Sequence, residues 1–186
     1  TIDSAGNNLI ALNANAVLAG ELQDRLHAAD VTEAETLLKW TRGIDVDDSD
    51  GDGSSVDARP WLMGDPIHGR PVAVNYGVVG GAGYTEDNPN LRVFFGANDG
   101  FFRALKDSAT GTNATGEELF AFMPRELLKN NKILRKNNAA IKHPYGVDGA
   151  PVAAIIDNDG DGNIELADSD KVYLYFGLRR GGRSYY

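Results

Sequence analysis

The sequence predicts a mainly β protein, a sandwich, a barrel or an incomplete β-propeller, preceded by a short helical segment. Three observations carry this. After Pro60, short strand-like segments recur at regular spacing with turn residues between them. No alternation of helix and strand of the kind that builds a parallel sheet accompanies them. The first 40 residues, by contrast, place apolar side chains at helical spacing. With 186 residues the chain can bury a core without staples. It divides on this reading into a helical lead-in over 1–44, an Asp-rich loop over 45–59 and propeller blades over 60–186.

In the lead-in, Leu18, Leu22 and Leu26 recur at i+4 and make one apolar stripe. A second helix is expected from Thr32. Thr32-Glu33-Ala34-Glu35 fits a capping box with Thr32 as N-cap, and Leu37, Leu38 and Trp40 supply the apolar face. Gly43 is placed to end it in a left-handed conformation. Beyond Pro60, residues 72–76, 91–95, 101–105, 119–123, 152–156 and 172–176 have the length and composition of strands. Asn98-Asp99-Gly100 joins two of them as a hairpin turn. Gly80-Gly81-Ala82-Gly83 and the stretch 85–90 read as a long loop, and 124–136 as one or two helical turns. A blade takes about 40–50 residues, so 60–186 holds roughly three, against four to eight in a closed ring. The expectation is a part of a larger domain, with further blades from the same or another chain.

The charge is uneven. The net charge is −9, from 18 Lys and Arg against 27 Asp and Glu. Asp45, Asp47, Asp48, Asp50, Asp52 and Asp57 crowd one window; Asp157, Asp159, Asp161, Glu165, Asp168 and Asp170 crowd another. Neither window contains a basic residue, and the rest of the chain has a net charge of +3. Acidity this local needs a local cause. Clustered positive charge for a nucleic acid is missing. There is no cysteine, which excludes disulfides, cysteine-type zinc and thiol catalysis. No apolar run reaches the roughly 18 residues of a membrane helix. His27, His68 and His143 are scattered, and no nucleophile-elbow pattern accompanies them, so no hydrolytic enzyme is expected.

The motif with the most chemistry is Asp157-Asn158-Asp159-Gly160-Asp161-Gly162-Asn163-Ile164-Glu165-Leu166-Ala167-Asp168. Acids stand at positions 1, 3 and 5, glycine at 6, an aliphatic at 8 and an acid at 12, the pattern of an EF-hand loop with Asp in place of the last Glu. Calcium takes six to eight oxygens at about 2.3–2.6 Å, and alternate side chains of a tight loop converge on one point. Without a cation these carboxylates repel one another; the competing reading is an acidic turn between strands. Because the flanks read as strands, a nine-residue version ending at Glu165 is favoured, with Asp168 as a further candidate. Asp48-Ser49-Asp50-Gly51-Asp52-Gly53-Ser54 repeats the first six positions without the aliphatic at 8, so Asp48, Asp50 and Asp52 are a second metal candidate or an acidic linker. Phe95-Gly96-Ala97-Asn98-Asp99-Gly100 with Ala104, followed by Thr115-Gly116-Glu117-Glu118-Leu119-Phe120, is the hairpin-and-third-strand pattern of quinoprotein-type blades. The repeat of Ala109-Thr110-Gly111 as Ala114-Thr115-Gly116 reads as a small insertion. Arg179-Arg180-Gly181-Gly182-Arg183 reads as a blade turn.

Further motifs stand in a fixed order. They are Met63-Gly64-Asp65-Pro66-Ile67-His68-Gly69-Arg70-Pro71-Val72, the Phe95–Gly100 hexapeptide, Phe122-Met123-Pro124-Arg125-Glu126-Leu127, and Phe176-Gly177-Leu178-Arg179-Arg180-Gly181-Gly182-Arg183-Ser184-Tyr185-Tyr186. Over roughly 37–186 the chain resembles the C-terminal propeller of PilY-type proteins, calcium-binding tip adhesins and assembly factors of bacterial type IV pili. The resemblance implies a distorted seven-bladed quinoprotein-like propeller, of which this chain is the first part. It implies a calcium ligand set of Asp157, Asp159, Asp161, Asn163 through its backbone carbonyl, and Glu165, where family members carry Asp or Asn at the last position. Arg103 and Lys106 depart from the family's usual His and Asp. The function so implied is that of a non-enzymatic Ca2+-binding part of a pilus-tip protein, extracellular at the cell surface. Its partners would be pilins or minor pilins and a host or abiotic surface, and calcium would be linked to pilus extension and retraction. The alternatives are a fragment of a quinone-dependent propeller dehydrogenase and a generic extracellular calcium-stabilised β domain.

Overall fold

The computed structural model describes residues 11–12, 22–80, 83–107 and 116–186. Leu18 and most of the expected insertion around 109–116 lie outside the described residues. The chain forms two compact units. One comprises the residues through Asp65 with Asn98–Gly100 and Met123–Gly146; the other comprises Pro66–Ala97, Phe101–Phe122 and Val147–Tyr186.

The first unit is helical. Leu22 and Leu26 are fully buried on one turn, closed by the Leu26 N–H on the Leu22 carbonyl at 2.9 Å. Helix α1 spans Val31–Thr41, and its cap lies two residues before the expected Thr32. That N-cap is Asp30, whose carboxylate accepts the Glu33 N–H at 2.8 Å, while Glu33 reaches back to the Ala29 N–H at 2.7 Å. Two overlapping capping signals compete here. The aspartate wins because it sits in extended backbone and accepts the third N–H directly. At the other end Gly43 takes a φ of +96°, its N–H bonds Trp40, and the next N–H bonds Lys39, the paired bonds of a Schellman cap. Ala34, Leu37 and Leu38 face inward at i, i+3 and i+4. Opposite lie a 3₁₀ turn, Arg125–Asn130, and helix α2, Asn131–Lys136, which resolve the helical stretch expected after Pro124. Leu127, Leu128 and Met123 complete the core, each buried side chain contributing about 2 kcal/mol. Two ion pairs join the segments of this unit: Lys132 to Glu33 at 2.8 Å and Arg135 to Asp47 at 2.7 Å.

The second unit is β. Strands β1 (Val72–Asn75), β2 (Leu91–Gly96), β3 (Phe102–Lys106) and β4 (Glu117–Phe122) form one antiparallel sheet in that order. Strands β5 (Val152–Ile156) and β6 (Lys171–Tyr175) pair as a separate hairpin. All six expected strands are present, with ends shifted by at most two residues. The described residues are thus mainly β, with one four-stranded meander of the size used in a propeller blade; they form no closed ring. On one face of the sheet Phe94, Phe102 and Phe120 cluster, and Phe176, which follows β6, stacks on Phe102 with ring centroids 4.2 Å apart. Gly96 has to be glycine because a Cβ there would collide with Val147. Asp148, almost wholly buried, is held from two other loops, by His68 Nδ1 at 2.7 Å and Arg179 at 3.3 Å. His68 is therefore a structural pin for these loops.

Candidate metal centre

The loop between β5 and β6 builds its own frame. Asp157 accepts the N–H groups of Gly160 and Gly162 at 2.7 and 3.0 Å. Asp159 accepts from Asp161, and Asp161 accepts from both the backbone and the side-chain amide of Asn163. Gly160 and Gly162 have φ of +75° and +83°, which turn the chain tightly enough for these short-range bonds.

Oxygens of Asp157, Asp159 and Asp170 lie within 4.8 Å of one another. Oxygens up to about 5 Å apart fit around one calcium ion at its usual bond length, so this group can hold a metal. The charges press on each other. Asp159 accepts a backbone bond from Asp161 that lowers its pKa. Desolvation, the charges of Asp161 and Asp168, and the neighbouring Asp157 carboxyl outweigh that bond, and the group sits above its ordinary value. Glu165 is raised first by the Asp168 carboxyl beside it, then by desolvation and by the charges of Asp168, Asp161 and Asp159. Asp161 is lowered by its bonds to Asn163. All five candidate side chains from 157 to 168 are therefore electrostatically in contact, but only Asp157 and Asp159 share the tight oxygen cluster.

Asp170 is the member that spacing alone missed. It is 8% exposed; one oxygen accepts the Asn158 N–H at 2.8 Å and the other the Glu165 N–H at 3.1 Å, so it straps the two limbs of the loop together. Its only sequence signal is an acid placed immediately before the apolar run of β6. The loop is also tied across the unit to the end of β1. Asn163 Oδ1 accepts the Val78 N–H at 2.9 Å, and the Ile164 N–H bonds the Tyr76 carbonyl at 3.2 Å. Gly77, with φ +76°, has no room for a Cβ against Asn163.

The first Asp/Gly loop lies in the helical unit and takes a like form. Oxygens of Asp48, Asp50 and Asp52 again come within 4.8 Å of one another. Buried Asp45 anchors the start of the loop by accepting both the N–H and the hydroxyl of Ser49 at 2.8 Å. Asp57, which spacing did not single out, is raised by desolvation and then by the charge of Asp52, so its carboxyl faces the same cluster. Comparison of the chain with protein-family models, curated proteins and solved structures found no match.

Proposed function

We propose that the chain is a non-enzymatic, calcium-binding part of a PilY-type pilus-tip adhesin and assembly factor, with its principal Ca2+ site in the β5–β6 loop. The observation that carries the metal reading is the convergence of Asp157, Asp159 and Asp170 on one point of a loop framed by its own N–H bonds. Asp157, Asp159 and Asp161 supply side-chain oxygens, Asn163 its backbone carbonyl, and Glu165 closes the set, with Asp168 and Asp170 beside it. The bound ion supplies charge neutralisation, and it stiffens the connection between two strands. The like-charge repulsion that raises Asp159 and Glu165 supports this. Asp48, Asp50 and Asp52 form a second, weaker site on the same pattern.

The pilus reading rests on the ordered motifs of 37–186 and agrees with a mainly β unit carrying an acidic loop between two strands. On this reading the protein works outside the cell, with pilins or minor pilins and an attachment surface as partners, and calcium sets the stiffness of the tip. Millimolar calcium suffices for a site with a dissociation constant on the order of 10⁻⁴–10⁻³ M.

Calorimetric titration of wild type and Asp159→Ala with calcium is the test. Loss of one charged ligand weakens binding about tenfold or more at the β5–β6 loop. Equal binding by both proteins, or none by wild type, overturns the metal site. Failure to co-purify with pilins from piliated cells overturns the pilus assignment separately.

A further inference from the structure

We propose that a cleft over the β1–β4 sheet binds a small amphipathic carboxylate, with Arg92 and Lys106 taking its charged end and the apolar walls its body. The cleft has a volume of about 350 Å³, at the lower end of the range for small-molecule sites. It lies wholly within the β unit and is independent of the metal loop's occupant.

The charged end comes from strand register. Arg92 on β2 and Lys106 on β3 are direct cross-strand partners, so both project from the same face, side by side. Like charges placed directly opposite destabilise a sheet, and in this chain acids outnumber bases 27 to 18. Yet among the described residues neither cation is paired with a carboxylate. The Arg92 guanidinium lies 3.9 Å over the Tyr76 ring, and Lys106 Nζ lies 5.8 Å from the Tyr84 ring. Glu117 stands opposite Lys106 on β4, but it is exposed and forms no ion pair with it. Arg92 Nε is buried without a hydrogen-bond partner. Aromatic rings beneath both cations hold them in place and leave their donors for an anion.

A second polar orphan lines the same cleft. Asn90 is 1% exposed; its N–H bonds the Gly77 carbonyl and its side-chain amide donates to the Val79 carbonyl at 2.8 Å, but its Oδ1 has no partner. A buried acceptor left unmet costs stability, and because an ionised carboxylate only accepts, it is an N–H or O–H on the ligand's body that removes that cost. The remaining walls are apolar: Phe94, Ala104 and Phe120 from the sheet, Val172 and Leu174 from β6. A planar carboxylate matches the guanidinium fork and an adjacent ammonium, and an aliphatic or aromatic body displaces water from the walls. A bare inorganic anion would leave those walls wet.

The test is calorimetric titration of the intact chain with octanoate, octanol, acetate and inorganic phosphate at low ionic strength and constant calcium. Octanoate is expected to bind, and octanol, acetate and phosphate to bind at least tenfold more weakly. Arg92→Gln and Lys106→Gln are each expected to weaken octanoate about tenfold, the loss of one charge-assisted bond. Lys142→Gln, outside the cleft, leaves it unchanged. Far-UV circular dichroism establishes folding; because Lys106 projects at the cleft rim, its variant keeps the test available if Arg92→Gln unfolds. No octanoate binding by wild type, equal binding of octanol or phosphate, or wild-type affinity in a folded Lys106→Gln overturns the proposal.

Discussion

In both Asp/Gly loops the first aspartate accepts the N–H five residues on, at 3.1 Å for Gly53 and 3.0 Å for Gly162. The third position accepts from the fifth at 3.3 Å in each, and the fifth from the seventh at 2.7 Å in each. The two glycines have φ of +75° and +87° in one loop and +75° and +83° in the other. One loop follows a helix, the other joins two strands, and they lie in different units. The first seven residues therefore make the same set of internal bonds beside a helix and between two strands. What differs is the closing side. In the β loop Glu165, Asp168 and Asp170 follow the frame; in the helical unit the matching ninth position is Val56, 80% exposed, and only Asp57 faces the cluster. Shape comes from the first seven residues, and charge density at the ion from those after them.

The largest break of this parallel is expected from Asp170→Asn. Asp170 is the buried strap with no counterpart in the first loop. The amide can accept only one of the two N–H bonds that the carboxylate now takes, so unfolding by denaturant should show a loss of about 1–3 kcal/mol. Asp57→Asn should show no loss, since desolvation and then the charge of Asp52 already disfavour its ionised form. A neutral outcome for Asp170→Asn would mean that the loop is held by its own frame alone.

Next in size is a gain. In a chain carrying Asp157→Ala to disable the β loop, Val56→Glu supplies the missing ninth-position carboxylate. Because calcium affinity follows ligand charge count, calorimetry should register about tenfold tighter binding at the remaining loop. Unchanged binding would show that closure depends on something other than position 9.

The smallest effect concerns acid. Glu33 lies below its ordinary pKa because it accepts the Ala29 N–H and then because of Lys132. A lowered carboxylate stabilises the fold above its unfolded value, and that contribution is lost as pH falls from the ordinary glutamate value through the lower folded one. Glu33→Gln should flatten this acid limb of the α1 signal in circular dichroism, weakly and less so in high salt. Neither acidic loop should share the change.

The sequence was most legible where bonds are short-range. The Asn98-Asp99-Gly100 turn, with Gly100 at φ +94°, and the left-handed Gly43 are read from adjacent residues, and both stand in the structure. Asp157 and Asp159 likewise come together, while Asp161 lies outside their oxygen cluster. Helix α1 was misframed because Asp30 and Thr32 both begin plausible capping boxes; only backbone geometry decides between them. Asp170 and the tie from Asn163 to Val78 were illegible for a different reason. The tie spans 85 residues, and no local pattern encodes which loop will meet which strand end. The Arg92–Lys106 opposition was likewise hidden until strand register placed the two side by side.

The bond between Asn163 and Val78 bears on portability. The loop at 48–54 makes its bonds within the stretch closed by the Ile44–Ala58 bridge, apart from the Asp47–Arg135 pair beside it, so it is the one of the two that could be set into another turn. The loop at 157–170 cannot travel in this way. It takes part of its shape from Tyr76 and Val78, and a peptide copy would leave the Val78 donor behind. Any insertion or deletion in the chain just after β1 would be felt first in the acidic loop, far along the sequence, before it was felt in the sheet itself.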